Sequence, residues 1–168
     1  MKKIICIILG ILFSITTCSC DPGTFVIKDE YLKGIISVEL INYTNPDQKG
    51  FSLWAPNQFD KLKKFNNDNY VVLETLPNKK INSFLDSFKN TDILHTYYAY
   101  DSPKDICIRL NYSNGNFLII WTNYKYRNYQ GYIGQYLSDG SVLSFWGCFS
   151  AYDYYRELVE YYFDIKLE

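Results

Sequence analysis

DICIRLNYSNGNFLIIWT, residues 105–122, encodes a β-hairpin by itself, and the rest of the predicted sheet extends from it. Apolar residues occupy every second position on both sides of a central turn, a period that is typical of β-strands. These residues are Ile106, Ile108 and Leu110 before the turn and Phe117, Ile119 and Trp121 after it. Between them, Asn114-Gly115 favours the positive φ angles that a two-residue hairpin turn requires. The stretch therefore predicts two antiparallel strands joined at this dipeptide.

The same pattern continues on both sides of this hairpin. Asp139-Gly140 predicts a second two-residue turn, between a strand at 132–137 and a strand at 142–149. Residues 93–100 predict a further strand ahead of the first hairpin, with a turn at 101–104 between them. We expect these five strands to form an antiparallel meander.

Two amphipathic helices are predicted from apolar residues at positions i, i+3, i+4 and i+7. One covers residues 78–89, and the other ends the chain. Their apolar stripes are Ile81, Phe84, Leu85 and Phe88 in the first and Tyr155, Leu158, Val159 and Tyr162 in the second. Short apolar runs at 36–40 and 70–75 predict two more strands.

These elements predict a single α+β domain over residues 35–168, an antiparallel meander sheet with both amphipathic helices packed on one face. The other face is expected to be open to solvent or to a partner. Residues 20–34 are expected to be an anchor or spacer segment that ends in a short helical turn at 29–33.

The first 22 residues have the organisation of an export signal. Lys2 and Lys3 give a positive start, and residues 4–15 follow without a charge. Small or reactive residues come next and include Cys18 and Cys20, just before the first acidic residue of the chain. This arrangement resembles the type II signal peptide of bacterial lipoproteins.

In that family, the cysteine after the cleavage site carries a diacylglyceryl group and becomes the mature N-terminus. The resemblance implies that residues 1–19 are the signal peptide and that Cys20 is lipidated, with Cys18 as the alternative. It also implies an exported protein, anchored by its N-terminal lipid to the outward-facing surface of a bacterial membrane. Plain secretion without a lipid and an uncleaved membrane helix are the other interpretations.

The charge of the mature chain narrows the class of partner. The leader holds two of the 17 basic residues and none of the 18 acidic ones, so 15 basic and 18 acidic side chains remain, a net charge of −3. This weakly acidic balance argues against nucleic acid or an anionic lipid surface as the partner.

Two cysteines, Cys107 and Cys148, remain in the predicted domain. In an oxidising compartment they form a disulfide if their strands are neighbours. A reduced thiol would instead behave as a small buried hydrophobic side chain. The sequence leaves both possibilities open.

Little in the sequence points to catalysis, a metal or a cofactor. His95 is the only histidine, so the usual closed zinc ligand sets are absent, and no glycine-rich phosphate loop occurs. A glycoside hydrolase would need two carboxylates about 5 to 10 Å apart, and sequence alone does not place any pair at that distance. We therefore predict that the protein has no cofactor.

Aromatic side chains are the strongest candidates for a binding surface. Tyr124, Tyr126 and Tyr129 lie in the predicted loop between the hairpins, and Trp121 comes just before it. Aromatic rings provide a large contact area at a small cost in conformational entropy. The alternative is that such rings form cross-strand pairs that only stabilise the sheet.

These observations predict a lipid-anchored envelope protein, non-catalytic, that binds a protein or a glycan through its aromatic-rich sheet face or loop. An inhibitor or immunity-type role is an analogy from the fold class alone. The alternatives are an envelope hydrolase that uses a carboxylate pair and a purely structural envelope component.

Overall fold

A computed structural model of the chain describes residues 24–44, 64–89, 92–94, 103, 105–122, 130–150 and 152–167. The strands are β1 (Thr24–Val26), β2 (Ile35–Tyr43), β3 (Tyr70–Thr75), β4 (Asp92–Leu94), β5 (Asp105–Tyr112), β6 (Phe117–Thr122), β7 (Gln130–Tyr136) and β8 (Val142–Ser150). The helices are α1 (Asp29–Leu32), α2 (Asn78–Phe88) and α3 (Tyr152–Phe163). The predicted hairpin strands and both predicted helices are therefore confirmed as elements.

Within the described residues, eight strands form one sheet in the order β1-β4-β8-β7-β6-β5-β2-β3, and each neighbouring pair is antiparallel. A mixed α+β fold built on an antiparallel sheet is therefore confirmed. Strands β5 to β8 follow one another across the sheet, as the two hairpin signals predicted.

The position of β4 corrects the predicted meander, which placed this strand beside β5. In the structure β4 pairs with β8, with Leu94 opposite Cys148. The two sides of β5 are occupied by β6 and by β2, which pairs with β5 from Ile35 to Tyr43. Because β2 takes that place, β4 lies on the far side of the hairpins.

Both hairpin turns contain three residues, not the predicted two. The amide of Gly115 donates to the carbonyl of Tyr112, and the amide of Gly140 donates to the carbonyl of Leu137. In each turn the glycine alone has a positive φ, +86° at Gly115 and +84° at Gly140. This geometry is a turn followed by a left-handed residue, which is the common form of three-residue hairpin loops.

The centre of the sheet, at β6, is buried on both faces, whereas one face was expected to be open. Every residue of β6 is buried. Leu118 and Ile120 belong to one hydrophobic cluster, whereas Phe117, Ile119 and Trp121 belong to a second. Alternate residues of a strand point to opposite faces, so each face of β6 carries a core of its own.

The first cluster also contains the buried residues of both long helices. α2 contributes Ile81, Phe84 and Phe88, and α3 contributes Tyr155, Leu158, Val159, Tyr162 and Phe163. The two helices meet where the ring centroids of Phe84 and Tyr162 are 5.1 Å apart. Burial of side chains of this size contributes roughly 1.5 to 3 kcal/mol each.

Residues 24–34, expected to be mainly a spacer, belong to the fold. β1 pairs with β4 at one edge of the sheet, and the side chains of Ile27 and Leu32 are buried in the first cluster. The predicted helical turn is present as α1. Only residues 20–23 of the expected spacer lie outside the described part of the chain.

Candidate functional site

A polar groove lies between α1 and the end of the sheet that carries the β5–β6 and β7–β8 turns. Its volume is about 470 Å³, within the range of about 300 to 1,000 Å³ that is typical of small-molecule sites. Its uncharged polar lining is Tyr31, Tyr112, Asn114, Asn116, Gln135 and Ser144. Glu30 and Lys33 complete the lining and give it one charge of each sign. We call these eight residues the polar groove.

The β5–β6 turn sets two amide side chains at the rim of the groove. Asn116 accepts a backbone hydrogen bond of 2.8 Å from Tyr112, which closes the turn around Gly115. The Asn114 Oδ1 atom accepts a 3.0 Å hydrogen bond from the backbone amide of Asn116. The hydrogen bonds of the turn therefore fix the backbone of both asparagines.

Tyr112 joins this turn to α1. Its hydroxyl donates a 2.5 Å hydrogen bond to the carbonyl oxygen of Tyr31. Burial raises the pKa of Tyr112 to about 12, so the hydroxyl stays protonated and can donate at neutral pH. The side chain of Tyr31 is 39% exposed and forms one wall of the groove.

Gln135 on β7 and Ser144 on β8 provide the sheet side of the groove. The two residues are opposite each other in the register, and the Ser144 hydroxyl donates a 3.0 Å hydrogen bond to Gln135 Oε1. Within the described residues, no group accepts a hydrogen bond from the amide nitrogen of Gln135. That nitrogen can therefore donate to a ligand in the groove.

The polar groove combines hydrogen-bond donors, acceptors and one aromatic wall, and it has no excess of either charge. Amides and hydroxyls form hydrogen bonds in both directions, which suits a neutral ligand rich in hydroxyl groups. Glu30 is the one carboxylate among the groove residues, whereas glycoside hydrolysis uses two. The described lining therefore supplies the hydrogen-bonding groups of a binding site.

Of the predicted binding residues, Trp121 alone lies in the described part of the chain. Tyr124, Tyr126 and Tyr129 lie outside the described residues, as do Cys18 and Cys20. Trp121 is fully buried, and its ring stacks on Tyr132 with a centroid distance of 5.6 Å. The prediction that Trp121 presents a binding surface is therefore wrong, because both faces of β6 are covered.

The sheet separates Cys107 from Cys148. Cys107 is buried in the second cluster on β5, whereas Cys148 is on β8, and β6 and β7 lie between them. Three strand spacings amount to about 14 Å, while the Cα atoms of a disulfide lie less than about 7 Å apart. The disulfide that the sequence left open does not fit this sheet, because the two strands are not neighbours.

A buried arginine is the polar feature that the sequence analysis missed. Arg109 is 8% exposed, and its guanidinium carbon lies 3.8 Å from the ring centroid of Phe117 and 4.8 Å from that of Tyr70. Its Nε donates to Asn111 at 2.7 Å and its Nη1 to Asn67 at 3.0 Å. Desolvation by burial lowers the pKa of Arg109, while Tyr70 and Glu39 oppose this shift.

Arg109 helps to hold the segment at 64–69 across the second face of the sheet. Phe65 stacks on Tyr43 with a centroid distance of 4.2 Å, and the backbone amide of Phe65 donates a 2.8 Å hydrogen bond to Gly140. Cation–π contacts and aromatic pairs of this kind are stabilising. The alternation of Cys107 and Arg109 with the apolar residues of β5 is the only sequence signal of this buried position.

Two further properties concern only the described part of the chain. None of its helices has the length and apolar character needed to cross a membrane. The same residues also contain no cluster that could hold a metal ion, that is, no suitable group of three or more histidine, cysteine, aspartate or glutamate side chains. His95 lies outside the described residues.

No protein-family model matches this chain, and no curated protein or solved structure is significantly similar to it. A proposed function therefore depends on the residues of this chain alone.

Proposed function

We propose that the protein is an exported, lipid-anchored bacterial envelope protein that binds a neutral glycan in the polar groove. The observation that carries the proposal is the lining itself, in which six uncharged amide and hydroxyl side chains face a space of about 470 Å³. Sugars present many hydroxyl groups that each need a donor or an acceptor when they leave water.

The partly exposed ring of Tyr31 favours a glycan as the ligand over a molecule with a large net charge. A partly exposed tyrosine ring offers an apolar surface together with a polar end, which suits the alternating character of a sugar ring. Glu30 and Lys33 leave the groove without net charge. An anionic or cationic ligand would therefore gain little from the groove as a whole.

We also propose that α2 and α3 lie side by side on one face of the sheet, which gives the domain two layers. Their buried residues share a hydrophobic cluster with Leu118 and Ile120 of β6, which supports that arrangement. Such a layer would leave the groove at the end of the sheet, beside the short helix α1, where a ligand could enter.

The anchor would hold the domain close to the membrane. Three residues lie between Cys20 and Thr24, the first residue of β1, so four Cα–Cα steps join them. Since one residue spans at most about 3.6 Å, the edge of the sheet would lie within about 14 Å of the lipidated cysteine. A glycan of the cell envelope would be within reach of a domain held in this way.

Titration calorimetry of the full chain with a panel of neutral oligosaccharides tests glycan binding. Tyr31→Ala keeps the backbone carbonyl that accepts from Tyr112 but removes the ring, and Gln135→Ala removes the amide. Each loss should weaken the affinity by roughly 3- to 10-fold, as expected for one hydrogen bond or one aromatic contact.

Tyr161→Ala is the matched control, because Tyr161 is 77% exposed and lies outside the groove. Its affinity for the same sugars should equal that of the unmodified chain. If no sugar in the panel binds, or if all three variants lose affinity equally, the groove is not a glycan site and a structural role becomes the better explanation.

A further inference from the structure

β3 is the last strand of the sheet, on the side opposite β1. It pairs with β2 on one side, and no strand of the described part of the chain pairs with its other side. The outer side of an edge strand presents a row of backbone N–H and C=O groups that another extended chain can pair with.

The side chains of β3 make this edge unusual. Val71 is 65% exposed, Val72 is 42% exposed and Leu73 is 45% exposed. Natural edge strands are commonly protected by lysine or proline, by very short length or by a bulge that twists the edge away, and of these β3 has only a bulge. β3 has six residues and contains neither lysine nor proline, so an apolar and hydrogen-bonding surface is left accessible there.

The register between β2 and β3 limits what could add to this edge. Ile41 is opposite Val72 and Leu40 is opposite Glu74, so Leu73 is an extra residue in a β-bulge. A bulge increases the local twist of a strand. A segment that pairs along β3 must therefore follow this twist, which makes the edge selective for short segments.

The charges at the two ends of β3 indicate the chemistry of its occupant. Asp68 precedes the strand and Glu74 lies near its end, and residues 68–77 contain no basic residue. Opposite charges on neighbouring strands attract each other, and like charges directly opposite are destabilising. A second copy of this chain would bring the same acidic residues, whereas a segment with basic ends would neutralise them.

We propose that β3 accepts a short extended segment of another protein, apolar at alternate positions and basic at its ends, as an added strand of the sheet. Main-chain hydrogen bonds would provide the affinity, and contacts with the exposed valines and leucine would provide selectivity. The site is distinct from the polar groove and does not depend on glycan binding there. Seven strand spacings, about 34 Å, separate β3 from β1, so an anchor beside β1 leaves this edge accessible.

The test uses the full chain in detergent and a labelled seven-residue peptide with lysine at both ends and alternating valine and threonine between them. Fluorescence anisotropy measures the affinity, and hydrogen exchange measures the protection of the β3 amides. The peptide should bind, should protect β3 and should bind more weakly in high salt. The same peptide with a central proline should bind at least tenfold more weakly, because proline removes a hydrogen-bond donor.

Val71→Lys places a like charge beside the lysines of the peptide and should weaken binding at least tenfold. Ile36→Lys is the matched control, since Ile36 is 60% exposed on β2, an interior strand of the sheet. Its affinity for the peptide should be unchanged. Unfolding of both variants in urea shows whether each remains folded.

Three results would overturn the proposal. The β3 edge could already be protected from exchange before the peptide is added, which would mean that another part of this chain covers it. Sedimentation could show that the chain is a dimer that the Val71→Lys change dissociates, which would make a second copy the occupant. The two lysine variants could also bind the peptide equally well, which would place the peptide elsewhere.

Discussion

Replacing Gly140 with alanine should strongly destabilise the domain, because two independent features of the structure exclude a Cβ atom at this position. Gly140 has a φ of +84°, which side chains of L-residues rarely tolerate. A Cβ atom added there would also lie 2.0 Å from the carbonyl oxygen of Phe65. That oxygen belongs to the backbone, so it cannot move away by a simple side-chain rotation.

The size of the expected loss in stability follows from the contacts that the β7–β8 turn would lose. The left-handed backbone conformation costs about 1 to 2 kcal/mol for an L-residue. Movement of the turn would break the hydrogen bond from Phe65 to Gly140, which contributes about 0.5 to 1.5 kcal/mol. Displacement of Phe65 would also disturb its stacking on Tyr43. An aromatic pair of this kind contributes about 0.5 to 1.5 kcal/mol. The free energy of unfolding should therefore fall by about 2 to 5 kcal/mol.

Gly115→Ala is the matched control, because it has the same kind of turn without the close contact. Gly115 has a φ of +86°, and an added Cβ atom would meet only the Cβ atom of Ser138 at 3.2 Å. Ser138 must give way by a few tenths of an ångström, so the backbone strain of about 1 to 2 kcal/mol is the larger part of the expected cost. The difference between the two variants isolates the cost of the contact between the β7–β8 turn and Phe65.

Urea unfolding followed by tryptophan fluorescence and by circular dichroism measures both changes. Trp121 is fully buried, so its emission should change on unfolding. Each kcal/mol should lower the melting temperature by roughly 2 to 4 °C in a domain of this size. If Gly140→Ala proves no more destabilising than Gly115→Ala, the packing of the 64–69 segment against the turn is not as described.

Three further predictions concern titration, the thiols and the anchor. The pKa of Tyr112 is raised from 10.0 to about 12 in the folded chain. The free energy of unfolding should therefore fall as the pH rises from 10 to 12. Urea unfolding at several pH values should show a smaller fall for Tyr112→Phe. Cys107 and Cys148 should not pair within one chain, so mass spectrometry should show no two-dalton increase on reduction. Labelling with a palmitate analogue in a bacterial host should be lost in the Cys20→Ser variant if Cys20 is the lipid site. Label that survives replacement of both Cys18 and Cys20 would contradict lipidation.

The polar groove illustrates the limit of sequence-based prediction for this chain. Asn114 could be placed at a turn from the sequence alone, since the Asn-Gly dipeptide has a strong local preference. Its proximity to Tyr31 and Gln135 depends on how α1 crosses the sheet and on which strands pair. No local pattern records those contacts, because they join residues far apart in the chain.

Local sequence patterns specify the main strands and helices of this chain. The alternation of apolar residues around residues 114 and 139–140 predicted the hairpins, and the stripe of Ile81, Phe84 and Phe88 predicted α2. These signals are reliable because the periods of strands and helices are set by local backbone geometry.

Tertiary structure alone decided how those elements combine. It placed β4 beside β8 because β2 occupies the free side of β5. It also buried Trp121 against Tyr132 and Arg109 beneath the 64–69 segment. Each of these outcomes depends on competition between distant segments for the same edge or face of the sheet. Such competition is settled by packing of the whole chain, since the apolar pattern of one strand does not specify which partner will cover it.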